Sequence, residues 1–231
     1  MDKVPESHIF ATYEPESPIA TELRRLYNNV KAKCSENHFR SFLVTSSVRG
    51  EGKSTITSNL AVTIAQFPQT KVLVVDADLR RPRMHTVFGV GNGDGLIDCL
   101  GHGVDPVRVV KKTHLPNLDV ITTGGKTDAP SKLFESEALA EFFAKMRFYY
   151  DIVLVDSAPV LAVSDTLFLS REIEGVLFVV LAGVTPSQVV LRAKESLADA
   201  RANLIGVVVN NVSQVLPYYY DYKYYGAYKK E

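Results

Sequence analysis

Residues 42–55 read Phe42-Leu43-Val44-Thr45-Ser46-Ser47-Val48-Arg49-Gly50-Glu51-Gly52-Lys53-Ser54-Thr55. A short apolar run leads into a glycine-bearing turn, and Lys53 opens a stretch with helical spacing to about Gln66. Gly50 and Gly52 let the backbone turn tightly, so that N–H groups point inward at phosphate oxygens. A helix N-terminus adds positive partial charge at the same spot. Lys53 is placed to reach β- and γ-phosphates, and the Ser54 hydroxyl is a magnesium ligand of the expected type. The strict pattern has glycine five residues before Gly52, where this chain has Ser47. A plain strand-to-helix turn with a surface lysine is the weaker reading, given a strand before the loop and a helix after it.

Working outward, the same alternation repeats. Val72–Val75, Leu118–Ile121, Ile152–Val155, Val176–Leu181 and Leu204–Val209 are short apolar runs. Helical spacing covers Ile19 to about Ala32, Ser136–Phe148 and Pro186–Ala200, with Ser17 and Pro18 as cap and first helical residue. The runs are continuous rather than alternating, as a parallel sheet covered on both faces requires. The expected fold is α/β: a single doubly wound, mainly parallel sheet with helices on both faces, P-loop NTPase-like. Residues 80–117 are glycine-rich and read as the least regular part. The expected organisation is an extended arm over 1–17, one domain over 18–212 and a flexible tyrosine-rich tail over 213–231.

Composition narrows the function classes. The chain has 231 residues, with 26 Lys+Arg against 26 Asp+Glu, 46% hydrophobic and 23% charged. This is ordinary globular usage and excludes a disordered chain or a strongly basic nucleic-acid binder. Cys34 and Cys99 form no CxxC pair; two free thiols is the blander reading and a disulfide the alternative. The start, MDKVPESHIF, lacks the apolar run of a signal peptide. The longest apolar run, Val176–Ala182, is far shorter than the roughly 20 residues of a spanning helix. No direct membrane insertion is expected, and any membrane role goes through a partner.

Two acidic strand ends accompany the glycine loop. Val75 runs into Asp76-Ala77-Asp78-Leu79-Arg80-Arg81-Pro82, and Val155 into Asp156-Ser157-Ala158-Pro159. Ligands of open parallel sheets bind outside the carboxyl ends of the strands, so all three segments meet at one edge. A carboxylate there can hold Mg²⁺ directly or through water. If the strand geometry continues, Asp76 and Asp78 point to one face. Either Asp alone reads equally well as a solvated strand end, but three coincident sites do not. Arg80 and Arg81 are candidates for added positive field at the phosphates, against the ordinary reading of arginines after a strand as solvated. Seven of the 11 Tyr, namely Tyr218, Tyr219, Tyr220, Tyr222, Tyr224, Tyr225 and Tyr228, lie in the last fourteen residues. No Phe follows Phe178, which points to the hydroxyl as the purpose of the cluster; an aromatic tail stacking on a partner or a sugar is the alternative.

Gly50-Glu51-Gly52-Lys53-Ser54-Thr55, the Asp76–Pro82 segment, Val155-Asp156-Ser157-Ala158-Pro159 and the tyrosine tail together resemble the bacterial tyrosine kinases of capsule and exopolysaccharide assembly. The resemblance covers roughly residues 19–228. It implies ATP- and Mg²⁺-dependent phosphorylation of the tyrosine cluster itself. Gly50 to Thr55 would bind ATP, with Lys53 on the phosphates and Ser54 on the metal. Asp76 and Asp78 would lie near metal and acceptor hydroxyl, and Asp156 would act on the metal through water. Asn210 matches an adenine-contacting Asn of related ATPases. Family members work with a transmembrane activator of the chain-length-regulator type, as homo-oligomers, opposed by a tyrosine phosphatase. They act in the cytoplasm at the inner membrane face, as stand-alone subunits or as kinase domains of longer proteins. On the first helix Glu22 and Arg25 match a Glu-x-x-Arg-x-x-Arg ring contact, but Asn28 stands at its third position. The rival readings are a partition- or septum-site-type ATPase switching between monomer and dimer, and a nucleotide-bound scaffold. Against the first, Val48 stands where such ATPases carry a second lysine.

Overall fold

A computed structural model of the chain describes Ile9 and residues 12–212. Helix α1 spans Pro18–Asn37, followed by β1 (Ser41–Ser46), α2 (Lys53–Ala65) and β2 (Val72–Asp76). Short helices α3 (Met84–Phe88) and α4 (Leu96–His102) lead to a 3-10 turn, Pro106–Val109. Then come β3 (Lys111–Lys112), β4 (Leu118–Ile121), α5 (Pro130–Phe134), α6 (Glu137–Tyr149) and β5 (Ile152–Asp156). The described chain ends through α7 (Asp165–Glu172), β6 (Gly175–Leu181), α8 (Ser187–Asp199) and β7 (Leu204–Asn210).

The strands form one sheet in the order β3-β4-β2-β5-β1-β6-β7. All neighbours are parallel except β3 and β4. Every residue of β1, β2, β4 and β5 is buried. Their side chains alternate between two separate cores, which is why the sequence shows unbroken apolar runs. Phe42, Val44, Val72, Val74 and Leu154 pack with Leu23, Tyr27, Val30, Leu60 and Ile64 of α1 and α2. Leu43, Leu73, Val75, Val153 and Val155 pack instead with Leu96, Phe142, Phe143, Met146, Leu169 and Leu197 of α4, α6, α7 and α8. A buried Phe or Leu contributes about 1.5–3 kcal/mol. This doubly covered sheet holds the central strand ends rigidly, and those ends carry the three motifs.

Ser17 caps α1 as expected, its side chain accepting from the amide of Ala20, with Pro18 at the first position. The helix runs past Ala32 to Asn37 and closes on His38 in the left-handed region, at φ 58°. The stretch expected as an extended arm differs where it is described. Ile9 and Thr12 are helical, Ile9 is 6% exposed, and Tyr13 donates its amide to the Ile9 carbonyl at 2.9 Å. The Tyr13 hydroxyl meets Thr63 Oγ1 on α2 at 2.9 Å, so apolar burial and this polar contact both dock the segment. Both cysteines are free. Burial pushes the Cys34 thiol up to about 11 and the Cys99 thiol up to about 12. Among the described residues no helix is long and apolar enough to cross a membrane. The tail over 213–231, with its seven tyrosines, lies outside the described residues.

Candidate active site

At the carboxyl end of β1 the chain turns through Gly50 and Gly52, with φ of 86° and 96°. Side chains other than glycine strain there. Gly52 has a second constraint, since a Cβ on it would run into Asn210 Nδ2. Gly52 provides no side-chain cap for α2, so nothing of its own competes for the first amides of the helix. Lys53, only 8% exposed, lines a cavity of about 510 Å³ together with Gly50, Gly52, Ser54 and Thr55. A lysine so placed adds a fixed positive charge where phosphates would sit.

Glu51 behaves differently from its neighbours. Its side chain is buried in protein, at 1% exposure, and does not line the cavity. Oε2 accepts from the Val48 amide at 2.7 Å and Oε1 from Thr185 Oγ1 at 2.6 Å. Its carbonyl accepts from Asn210 Nδ2 at 2.9 Å. The sequence reading groups Glu51 with the ATP-contacting residues; the structure makes its side chain a brace of the loop.

The two acidic strand ends come side by side, because β2 and β5 pair with Asp76 opposite Asp156. Asp156 is 1% exposed and accepts from Ser54 Oγ at 2.6 Å and from Thr57 Oγ1 at 3.5 Å. Asp76 is fully buried; its Oδ2 accepts from the amides of Arg83 and Met84, both at 2.8 Å. Both carboxyls are raised above the usual carboxylate range, first by burial. For Asp76 the next cause is the charge of Asp156; for Asp156 the Ser54 hydrogen bond and the Lys53 charge pull the other way. Two buried acids with no cation between them are costly, and a bound cation relieves that cost.

The expectation that Asp76 and Asp78 share a face needs correction. Strand β2 ends at Asp76, and the chain then turns, with the Asp78 amide donating to Asp76 Oδ1 at 3.3 Å. Asp78 lines the cavity and Asp76 does not. Among the described residues no cluster of three or more His, Cys, Asp or Glu could enclose a metal ion. Ser54 and Asp156 nevertheless present hard oxygen donors beside the loop. That donor set fits a magnesium ion, which usually takes one or two protein oxygens and completes its shell with phosphate and water.

Arg49, Arg80, Arg81 and Arg83 also line the cavity, with Ile9, Thr12, Asn59 and Pro159 among its other walls. Arg80 is not simply solvated. Its Nε donates to Asp165 Oδ2 at 3.0 Å, and Asp165 Oδ1 accepts from Ser131 Oγ at 2.6 Å. Thr57, Ser131, Asp165 and Thr185 therefore support the site, and sequence reasoning missed all four. Their partners lie 34 to 134 residues away, so no local spacing carries a signal. Glu22 and Arg25 form an exposed ion pair at 2.6 Å on α1, outside the residues lining the cavity.

Comparison with known proteins matches residues 38–224 to the ParA family, described as NUBPL iron-transfer P-loop NTPase. The tyrosine-protein kinase YwqD of Bacillus subtilis (strain 168) is 34% identical over 222 residues, covering 96% of this chain and 92% of that one. The solved kinase domain of Escherichia coli tyrosine kinase ETK superposes with a TM-score of 0.83 at 30% identity. That match covers 87% of this chain and 79% of the other. The septum site-determining protein MinD of Pyrococcus horikoshii OT3, solved with Mg-ADP, shares the fold at a TM-score of 0.64 and 22% identity. It covers 76% of this chain and 71% of that one.

Proposed function

The chain belongs to the bacterial tyrosine-protein kinases, on a P-loop NTPase fold, and from that premise we propose that it moves the γ-phosphoryl group of Mg·ATP onto tyrosines of its own C-terminal cluster. The observation that carries the reading is the convergence of Lys53, Ser54 and Asp78 on one cavity, with buried Asp156 hydrogen-bonded to Ser54.

The chemistry follows from the residues. A tyrosine hydroxyl has a pKa near 10 and attacks poorly at neutral pH. Phosphoryl transfer through a loose transition state needs alignment and charge neutralisation more than covalent help. Lys53 and the loop amides neutralise phosphate charge. When bound, magnesium would neutralise the phosphate oxygens further, and Ser54 and Asp156 are the residues to hold it, Asp156 directly or through water. Asp78 faces the cavity and takes the tyrosine proton. Asp76 serves as the buried neighbour that ties the following loop, through the amides of Arg83 and Met84, to the end of β2. The resemblance gives Asn210 an adenine contact; its side chain does not line the cavity, and Nδ2 donates to the Glu51 carbonyl at 2.9 Å.

The acceptor is the cluster Tyr218, Tyr219, Tyr220, Tyr222, Tyr224, Tyr225 and Tyr228. Each phosphate adds about −1.5 to −2 charges at neutral pH, so seven add roughly −10 to −14. Such a charge would loosen a homo-oligomer assembled through Glu22 and Arg25 of α1. That cycle suits control of exopolysaccharide or capsule polymerisation or export. Its partners would be a transmembrane activator at the inner membrane face and a phosphatase to reset it. Incubation of the chain with Mg·ATP followed by intact-mass measurement tests the reading. Mass should rise in steps of one phosphate, and not in Lys53→Met or in a chain truncated after Pro217. ATP hydrolysis with no mass gain would overturn it in favour of a nucleotide-driven dimerisation switch.

A further inference from the structure

Glu51 sits at the apex of the phosphate loop, yet three of its contacts face away from the cavity. Two come from the β6–β7 side of the sheet. The Thr185 hydroxyl donates to its carboxylate at 2.6 Å, and the Asn210 amide nitrogen to its carbonyl at 2.9 Å. The two donors are themselves joined. Leu181 and Asn210 are register partners, and the amide of Ala182 donates to the Asn210 carbonyl at 2.9 Å. The amide of Thr185 is clipped back to the Leu181 carbonyl at 3.1 Å. The third contact, from the Val48 amide, lies within the loop at 2.7 Å.

The arrangement is a clamp with two jaws on one residue. The strand pair β6–β7 holds the side chain of Glu51 through Thr185 and its backbone through Asn210. Glu51 is flanked by Gly50 and Gly52, both in left-handed conformations, so its side chain anchors the part of the loop between two glycines. Buried carboxylates depend strongly on each donor, because a lost partner leaves charge without compensation.

We propose that Thr185 is a positioning residue for phosphate binding: through Glu51 it holds the loop amides in the shape that receives the nucleotide phosphates. The idea rests on the nucleotide-binding reading above but not on which group receives the phosphate. It assigns Thr185 no contact with the nucleotide.

The test uses the full chain. Binding of Mg·ADP and of inorganic pyrophosphate is measured by calorimetry for wild type, Thr185→Val and Thr185→Ser. Thr185→Val should weaken both ligands by about tenfold, the scale of one hydrogen bond to a charged group. Thr185→Ser should restore both, since it keeps the hydroxyl. With ATP as substrate, the loss should fall on KM rather than kcat. Weakening of Mg·ADP alone would mean that Thr185 acts on the base, and would overturn the proposal. So would unchanged affinity, or a fall in melting temperature in Thr185→Val that Thr185→Ser shares. If binding behaves as stated but no tyrosine is phosphorylated, the positioning role stands and the kinase substrate assignment fails instead.

Discussion

The two edges of the sheet treat buried acids in opposite ways. Near the amino ends of the strands, Asp119 on β4 is 5% exposed and has its charge answered by Lys112 Nζ at 2.7 Å, with the Tyr150 hydroxyl at 2.8 Å. At the carboxyl ends, Asp76 and Asp156 are as deeply buried and lie next to each other. They are answered by hydroxyls and backbone amides. Lys53, a cation that lowers Asp156, itself lines the cavity. At the first edge a local ion pair supplies the counter-charge on Asp119 Oδ2, while Oδ1 is buried without a hydrogen-bond partner. The second edge holds two acids whose charged forms the fold disfavours, first by burial. Acids held in that condition mark a site built for a ligand rather than for stability.

The largest effect expected from breaking this contrast is at Lys53. Lys53→Met should reduce phosphorylation, read by intact mass, by about a thousandfold or more, with the circular dichroism spectrum retained. Next, Asp78→Asn should slow transfer by roughly 10²–10⁴-fold, the range for loss of a general base, while Mg·ADP still binds. A variant phosphorylated at the wild-type rate would move the base role elsewhere.

A pH test probes the acids at the carboxyl ends of the strands. The Asp76 and Asp156 carboxyls are raised in the fold, so their protonated forms favour folding. Their contribution is full below the unfolded carboxylate value of about 3.9 and is lost as pH rises through the raised values. The ligand-free chain should therefore melt at lower temperature at pH 8 than at pH 5. Asp156→Asn should narrow that gap by about 2–4 °C for each kcal/mol relieved. A gap unchanged in the variant would show that the acids are compensated after all. At the other edge, Asp119→Asn should cost about 1 kcal/mol in denaturant melts and leave Mg·ADP affinity unaltered. The smallest effect belongs to α1. Arg25→Ala should change stability by under about 0.5 kcal/mol, as exposed pairs do, while sedimentation reports whether assembly weakens.

The sheet was legible because each central strand is apolar on both faces and each strand end carries a motif residue. Strands β1, β2, β4, β5, β6 and β7 fall where the apolar runs lie. Strand β3, two lysines long, and helices α3, α4 and α5, of five to seven residues, are too short to show a period. Lys53, Ser54 and Asp156 were legible for the same reason as the sheet. The turn after Asp76 was not, because the amides of Arg83 and Met84 that capture its carboxylate belong to the glycine-rich stretch without pattern. Arg80 looked solvated because Asp165 lies 85 residues away and Ser131, which shares it, is no nearer in kind.

The muted thiols have a practical use. With Cys34 pushed up to about 11 and Cys99 to about 12, about one native thiol in ten thousand or fewer is ionised at neutral pH. Thiol-directed dyes react with thiolate, so the unaltered chain should stay nearly unlabelled on the timescale of a short reaction. A single cysteine introduced on exposed surface, such as Val184→Cys beside Thr185, would then carry almost all of the label. Its fluorescence would report the β6–α8 loop as nucleotide enters, with no need to remove either native cysteine.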